Sequence, residues 1–150
     1  MPICYLHGKE FEYTLGVDGK TCIFNNGIDL SYMSLINLQG LVGFPERVMI
    51  YGDFDCSFNS LQDLFGHDVK SLWIDGDFDI SHNCLKSLFG LPKDITITGN
   101  FYCNNNFLTS LKDLPINIDG TIYCQANKIE TLDTLPGYFK TTPKRKFNKV

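Results

Sequence analysis

Residues 48–61 have the sequence VMIYGDFDCSFNSL, in which apolar and polar residues alternate. This alternation is typical of a β-strand with one buried face. The same pattern recurs in three later stretches, residues 72–85, 95–108 and 116–129. Each stretch carries an asparagine at the same place: Asn59, Asn83, Asn106 and Asn127. These asparagines lie 24, 23 and 21 residues apart. Self-similarity at this period predicts a solenoid, in which each repeat forms one coil and neighbouring coils bury each other's apolar edges.

Stacking the coils places equivalent residues in columns, with successive strands paired in parallel about 4.8 Å apart. The columns expected in the interior are Phe54, Phe78, Phe101 and Ile122; Cys56, Ile80, Cys103 and Cys124; Leu61, Leu85, Leu108 and Ile129; and Leu64, Leu88, Leu111 and Leu132. The repeated asparagine is expected to point inward and to bond backbone groups of the turn that no strand neighbour satisfies.

Two further residue types recur at fixed places in the repeat. Glycine falls within each strand, at Gly52, Gly76, Gly99 and Gly120. A glycine inside a strand marks a bend or a close backbone approach, so we expect two short strand segments per coil, hinged at this residue. A proline precedes the next strand, in Phe44-Pro45, Leu91-Pro92, Leu114-Pro115 and Leu135-Pro136. Because proline prevents a helix from continuing, the linking segments are predicted to be extended or single-turn.

The repeat from Phe101 to Pro115 resembles the leucine-rich repeat, especially its short bacterial kind with Leu-Pro after the strand. Residues 76–92 are similar to repeats of the form G-D-F-x-C-x-x-N-x-L-x-S-L-x-G-x-P, seen in hypothetical proteins of large tailed phages and some bacteria. The likeness covers roughly residues 38–136. It implies a mainly β, leucine-rich-repeat-like, right-handed solenoid with a parallel β-sheet and short or no helices. The use of Phe, Cys and Ile where leucine is usual leaves the curvature of the stack open.

The chain is predicted to form a single domain with distinct ends. Residues 1–27 are expected to be an N-terminal β-hairpin cap, because residues 11–15 alternate, Asp18-Gly19 is a turn signal and residues 21–24 form the return strand. About four to five coils follow in 28–137, the first of them degenerate. Residues 138–150 form a basic C-terminal tail: all 17 acidic residues and only eight of the 13 basic ones precede residue 140. A short basic tail of this kind is expected to be mobile.

Composition excludes several classes of function. The longest apolar runs are too short for a membrane span, and no secretory signal is apparent, so a cytoplasmic location is expected. The six cysteines contain no C-x-x-C pair, which argues against a zinc site, and we expect them to be reduced. We expect no cofactor and no metal. A nucleophilic pair of His82 and Cys84 lacks an orienting partner and oxyanion donors, so no enzymatic activity is predicted.

The outward strand positions carry the candidate binding residues, because solenoids bind through their long exposed sheet. Five aspartates crowd onto two neighbouring coils: Asp53, Asp55, Asp75, Asp77 and Asp79. Like charges on adjacent strands oppose folding by roughly 0.2–1 kcal/mol a pair, so a role in recruiting a cation or a basic partner is one reason to retain them, and a solvated anti-aggregation face is the other. Aromatic residues of the type that anchors interfaces lie beside them, together with one histidine: Tyr51, Trp73, Phe58, Tyr102, Tyr123 and His82.

Three functional hypotheses follow. The first is a non-enzymatic module that binds a protein partner through an acidic and aromatic sheet; the phage likeness implies an inhibitor of a host defence enzyme or toxin, acting in the host cytoplasm. The second is an acidic nucleic-acid mimic that blocks a DNA- or RNA-binding enzyme. The third is a structural protein whose basic tail binds nucleic acid. No membrane partner is expected under any of them, and the sequence does not assign an oligomeric state.

Overall fold

The computed structural model describes residues 2–39, 46–67 and 69–138, and the backbone of residues 147–148. Within these residues the protein is mainly β and forms a β-solenoid of about four turns, as predicted. The expected Phe44-Pro45 turn and the basic residues Lys140, Lys144, Arg145, Lys146 and Lys149 lie outside the described residues.

Each coil contributes one strand to each of two parallel sheets. The first sheet comprises β4 (Thr21–Phe24), β6 (Arg47–Tyr51), β8 (Ser71–Asp75), β10 (Asp94–Ile97) and β12 (Asn117–Ile118), with β3 (Thr14–Leu15) antiparallel at its edge. The second sheet comprises β5 (Ile28–Asp29), β7 (Phe54–Asp55), β9 (Phe78–Asp79), β11 (Phe101–Tyr102), β13 (Ile122–Tyr123) and β14 (Phe147–Asn148). The expected division of each coil into two short strands is therefore confirmed.

The register is the one that the repeat predicts. Phe54 lies opposite Phe78, and Phe78 lies opposite Phe101. All three rings are fully buried, and their centroids follow one another at 5.3 and 5.6 Å. The cysteine column is buried as well, with all six cysteines as free thiols. Stacking of equal residues thus turns the apolar content of the repeats into one continuous core.

The asparagine column works as a hydrogen-bond ladder between coils. The Asn83 side-chain amide donates to the carbonyl oxygens of Cys56, Ile80 and Ser81 at 3.0–3.1 Å, and its Oδ1 accepts the Leu61 N–H at 3.0 Å. Asn59, Asn106 and Asn127 repeat this arrangement. The turn after the second sheet contains peptide groups that no strand neighbour reaches, and the asparagines satisfy them, as expected from the rule on buried polar groups.

The glycines lie at the corner where a coil passes from the first sheet to the second. A Cβ atom built on Gly76 would stand 2.6 Å from the carbonyl carbon of Gly52 in the preceding coil. Gly99 and Gly120 are equally crowded by the backbone of their preceding coils. Glycine is required here because consecutive coils touch through their backbones.

The N-terminal region contains two hairpins rather than one. Thr14–Leu15 pairs with Cys22–Ile23 in the predicted hairpin, but β2 (Lys9–Glu12) pairs antiparallel with β1 (Ile3–Leu6) in a second one. Cys4 and Leu6 are buried in the same core cluster as Phe24. The β1–β2 hairpin, which we call the N-terminal hairpin, therefore covers the open end of the stack. Strand β4 pairs in parallel with β6, so the first coil begins at Thr21 and not at residue 28.

The other end of the solenoid includes part of the expected tail. Phe147–Asn148 continues the second sheet in parallel with Ile122–Tyr123. Before it, Ile129, Leu132 and Leu135 are only partly buried against the core. The segment from 138 to 150 is therefore not a free tail along its whole length.

Candidate functional site

The outward face of the second sheet carries a column of carboxylates that continues as tyrosines. We call it the carboxylate-tyrosine column; its members are Asp29, Asp55, Asp79, Tyr102 and Tyr123. The Oδ1 atom of Asp55 accepts the backbone N–H and the hydroxyl of Ser57, at 2.8 and 2.6 Å. The two tyrosine rings stack at 4.7 Å with planes 7° apart. The column is thus ordered by local hydrogen bonds at one end and by ring stacking at the other.

The carboxyl groups of this column have different surroundings. Burial raises the pKa of Asp79, and this outweighs the hydrogen bonds from Ser81; the neighbouring carboxylate of Asp55 raises it further. In Asp29, hydrogen bonds from Ser31 lower the pKa, with a smaller contribution from Lys9, whose ammonium lies 3.3 Å from Oδ2. Lys9 belongs to the N-terminal hairpin, so that hairpin reaches the acidic column at its first coil.

A turn position with left-handed backbone lies three residues after each member of the carboxylate-tyrosine column. The residues at this position are Tyr32, Phe58, His82, Asn105 and Ala126, whose φ angles lie between 52° and 55°. Glycine, asparagine and histidine adopt this conformation more readily than other residues, which it costs roughly 1–2 kcal/mol. Asn105 and His82 are therefore ordinary choices for this turn, but the bulky Tyr32 and Phe58 are not.

The rings of Tyr32, Phe58 and His82 form a surface stack, which we call the ring stack. Tyr32 and Phe58 lie 4.7 Å apart with planes 6° from parallel, and Phe58 and His82 lie 4.2 Å apart at 9°. The stack is exposed: 72% of Tyr32 and 42% of Phe58 remain accessible to solvent. Stacking of this kind contributes about 0.5–1.5 kcal/mol per pair, which offsets part of the backbone strain. Because the ring faces cover each other, the stack presents mainly ring edges to solvent.

Asp53 and Asp77 serve a structural purpose at the glycine corner. The Oδ1 atom of Asp53 accepts the backbone N–H of Asp77 at 2.8 Å, and that of Asp77 accepts the N–H of Asn100 at 2.7 Å. Asn100 continues the series by accepting the N–H of Thr121 at 2.9 Å. These two aspartates thus form a second hydrogen-bond ladder between coils. One oxygen of each carboxylate takes part in this ladder, and the other does not.

The remaining predicted site residues lie on the first sheet. Tyr51 and Trp73 meet edge to face at 5.3 Å, and Asp75 accepts a hydrogen bond from the Thr98 hydroxyl at 2.9 Å. The predicted residues therefore divide among the two sheets, the corner between them and the turn that follows the second sheet. They do not form one continuous strip.

Sequence reasoning missed Asp29 and Tyr32, which extend both features by one coil. Ile28-Asp29-Leu30-Ser31-Tyr32 matches Phe54-Asp55-Cys56-Ser57-Phe58 residue for residue in type. The two stretches lie 26 residues apart, whereas the repeated asparagines lie 21–24 residues apart. Met33 also occupies the position where the asparagine is expected. An alignment on the Asp-x-Ser spacing would have found it.

Potential metal ligands and deeply buried thiols both occur in the described part of the chain. None of its His, Cys, Asp and Glu residues form a group of three or more that is placed to hold a metal ion. Burial raises the pKa of Cys56 and of Cys103 well above the ordinary range, which keeps these thiols protonated. No helix among the described residues has the length and apolar character needed to cross a membrane.

Comparison of the chain with protein families, curated proteins and solved structures gives no match. The structure itself defines the chain as a β-solenoid. The assignment of a function therefore depends on the surface features described above.

Proposed function

We propose that this β-solenoid is a non-enzymatic interaction module that binds a partner protein through the ring stack and the carboxylate-tyrosine column. The observation that carries the proposal is the ring stack itself. Tyr32 and Phe58 stand on backbone that disfavours bulky residues, at a position where glycine or asparagine would relieve the strain. Strain that persists at an exposed site is typical of functional surfaces.

The chemistry of this surface favours a protein over a nucleic acid as the partner. A base stacks on an exposed ring face, whereas both faces of Phe58 are covered by Tyr32 and His82, which leaves the outer face of Tyr32 for such a contact. The adjacent carboxylates repel phosphates and attract lysine and arginine. A partner surface with basic and apolar side chains is complementary to both features.

The likeness of the repeats to those of large tailed phages supports a more specific version. In it, the protein is phage-encoded and inhibits a host defence enzyme or toxin in the host cytoplasm. Captured partners would test this version directly.

The decisive experiment replaces Tyr32 and Phe58 by glycine. Because glycine suits a φ of about 53°, the double variant removes both rings without adding backbone strain. The matched control is Phe107→Ala, since Phe107 is 44% exposed and is not in the stack. We expect wild type and control to capture the same protein from a bacterial lysate, identified by mass spectrometry, and the double variant to lose it while remaining folded. Equal capture by all three would exclude the ring stack as the binding surface.

The acidic nucleic-acid mimic is the second candidate. The observation in its favour is that Asp29, Asp55 and Asp79 stack over three consecutive coils. Asp55→Asn/Asp79→Asn is a suitable probe, because an amide oxygen can still accept the N–H bonds of Ser57 and Ser81 that these carboxylates accept. If the captured partner is a nucleic-acid-binding protein, the mimic hypothesis requires that DNA or RNA competes with this protein for binding to that partner. It also requires that the affinity falls with salt and in the double variant.

The basic segment provides the third candidate. Replacing Lys140, Lys144, Arg145, Lys146 and Lys149 by glutamine removes its charge and leaves strand β14 in the sequence. Loss of all partner binding in this variant would transfer the function from the second sheet to that segment. Unchanged partner binding would leave the second sheet as the proposed binding surface.

A further inference from the structure

A groove lies on the loops that lead from the second sheet back to the first. Three successive loops border a half-open groove of about 600 Å³ through residues 66–67 and 69–70, 88–93 and 112–116. This volume falls within the usual range for small-molecule sites, roughly 300–1,000 Å³. The groove is separate from the ring stack and from the carboxylate-tyrosine column, none of whose residues line it.

The groove has an apolar floor and an apolar rim. Val69, Leu88 and Leu114 are almost fully buried beneath it. Phe89 and Ile116 also line it, yet 69% and 47% of these side chains remain exposed. An apolar concavity with exposed large side chains at its edge provides the hydrophobic contact area that a ligand needs.

The charges around the groove are opposite to those of the rest of the protein. Among the described residues that line it, the charged ones are Lys70, Lys93, Lys112 and Asp113. The residues before 140 carry twice as many acids as bases, yet these four lining residues have an excess of two positive charges. Lys70 is paired with Glu46 at 2.7 Å, whereas neither Lys93 nor Lys112 has a salt bridge within the described part of the chain.

Asp113 is the one acidic residue among these four. Its Oδ2 atom is buried and has no hydrogen-bond partner among the described residues. A buried acceptor without a donor is uncommon in folded proteins. Because this oxygen is not accessible from the groove, Asp113 adds negative charge to the lining rather than a contact for a ligand.

We propose that this groove binds an amphipathic small-molecule anion, with an apolar body on the Leu88–Leu114 floor and a carboxylate or phosphate near Lys93 and Lys112. The charge of the groove selects against the chain's own C-terminal segment as its occupant, since residues 140–149 carry five basic residues and no acid. The two headgroups share the chemistry that lysine recognises, a compact negative charge.

The test uses the ¹⁵N-labelled full-length protein and three probes of one chain length: octanoate, octyl phosphate and octyltrimethylammonium. We expect both anions to cause saturable shifts in the amide signals of residues 88–93 and 112–116, and the cation to cause none. The stronger of the two anions identifies the headgroup.

Charge-reversal variants make the test specific. Lys93→Glu/Lys112→Glu is expected to weaken anion binding about tenfold or more, because it replaces attraction by repulsion. The control, Lys20→Glu/Lys86→Glu, changes the net charge equally at lysines outside the groove, and its affinity should stay within about twofold of wild type. Phe89→Ser should also weaken binding and leave the fold intact, since Phe89 is 69% exposed.

Several outcomes would overturn the proposal. These are shifts that do not saturate or that scatter over the surface, equal binding of the cationic probe, and undiminished binding by the groove variant. Binding to phosphatidylglycerol vesicles without binding of either free anion would assign the groove to a membrane surface instead.

Discussion

Asp29 and Asp79 occupy one column of the second sheet, two coils apart, yet folding changes their pKa values in opposite directions. Burial among neighbouring coils disfavours the charged form of Asp79. Asp29 lies at the open end of the column, where a serine and the hairpin lysine stabilise its charge. The same residue type in the same repeat position therefore has opposite effects on stability.

This contrast gives a pH-dependent prediction for Asp79→Asn and Asp29→Asn. Because the pKa of Asp79 is raised in the folded protein, its protonated form contributes to the free energy of unfolding below its ordinary pKa of 3.8. That contribution is lost as the pH rises through the pKa of the folded state. Asp79→Asn should therefore stabilise the protein at pH 7, and the gain should vanish below that ordinary value. Asp29 contributes above its ordinary pKa, so Asp29→Asn should destabilise the protein at pH 7 and have little effect in acid. Denaturant unfolding of both variants between pH 3 and pH 7 measures the signs, and equal signs at pH 7 would refute the assignment.

Asn83 is the residue on which the inward ladder depends most visibly, since it is buried and makes four hydrogen bonds. Asn83→Ala leaves buried carbonyl groups without donors, and each such group costs about 1–3 kcal/mol. We expect a loss of about 3 kcal/mol or more in the free energy of unfolding, measured by denaturant titration. The exposed Asn25 is the control, and Asn25→Ala should stay within about 0.5 kcal/mol of wild type.

At the scale of the elements, the coil corner determines how closely repeats approach. Backbone contact at Gly76 leaves no room for a side chain, and the Asp53–Asp77–Asn100 ladder fixes the adjoining peptide groups. The two sheets therefore meet at a corner that is the same in every coil. This corner also separates the patch of Tyr51 and Trp73 from the carboxylate-tyrosine column.

Gly76→Ala tests the corner. Its new methyl group would lie 2.6 Å from the Gly52 carbonyl carbon, so neighbouring coils must move apart. We expect a loss of about 2–3 kcal/mol, as for an overpacked core site. Gly137→Ala is the matched control, because a Cβ atom there meets nothing within 4 Å. Thermal unfolding of both variants compares them, and similar midpoints would contradict the close approach.

At the scale of the whole molecule, the solenoid depends on covered ends. The N-terminal hairpin buries Cys4 and Leu6 against the first coil, while Tyr5, between them, faces outward and is 58% exposed. Removing this cover would leave the apolar edge of the stack and unpaired strand edges open to another chain.

Leu6→Asp should detach the hairpin, because a carboxylate cannot be buried at a fully enclosed apolar site. We expect a lower melting temperature and concentration-dependent self-association, measured by size-exclusion chromatography with light scattering. The neighbouring Tyr5→Asp adds the same charge on the exposed side and should remain at the wild-type stability and assembly state. A Leu6→Asp protein that assembles and melts like wild type would show that the hairpin is not needed as a cap.

The sequence alone predicted the solenoid, its register, the inward asparagines and the glycine hinge. Each of these follows from residues that recur at a similar spacing, such as Phe54, Phe78 and Phe101, 24 and 23 residues apart, and such repetition is what parallel stacking requires. It also predicted the hairpin around Asp18-Gly19, but not that the hairpin of residues 3–12, which do not repeat, is the one that covers the first coil.

Only the tertiary structure decided which candidate residues lie together. Tyr32 and Asp29 joined the site because a displaced first coil stacks on the second, and Asp53 and Asp77 proved to hold the corner because their oxygens reach the next coil. The left-handed turn beneath the ring stack has no signal in a sequence that places Tyr, Phe and His there. The groove of Lys93 and Lys112 arises where three successive loops lie side by side. Alternation of residue types reports which side of a strand is buried, whereas neighbours across coils are set by packing in three dimensions.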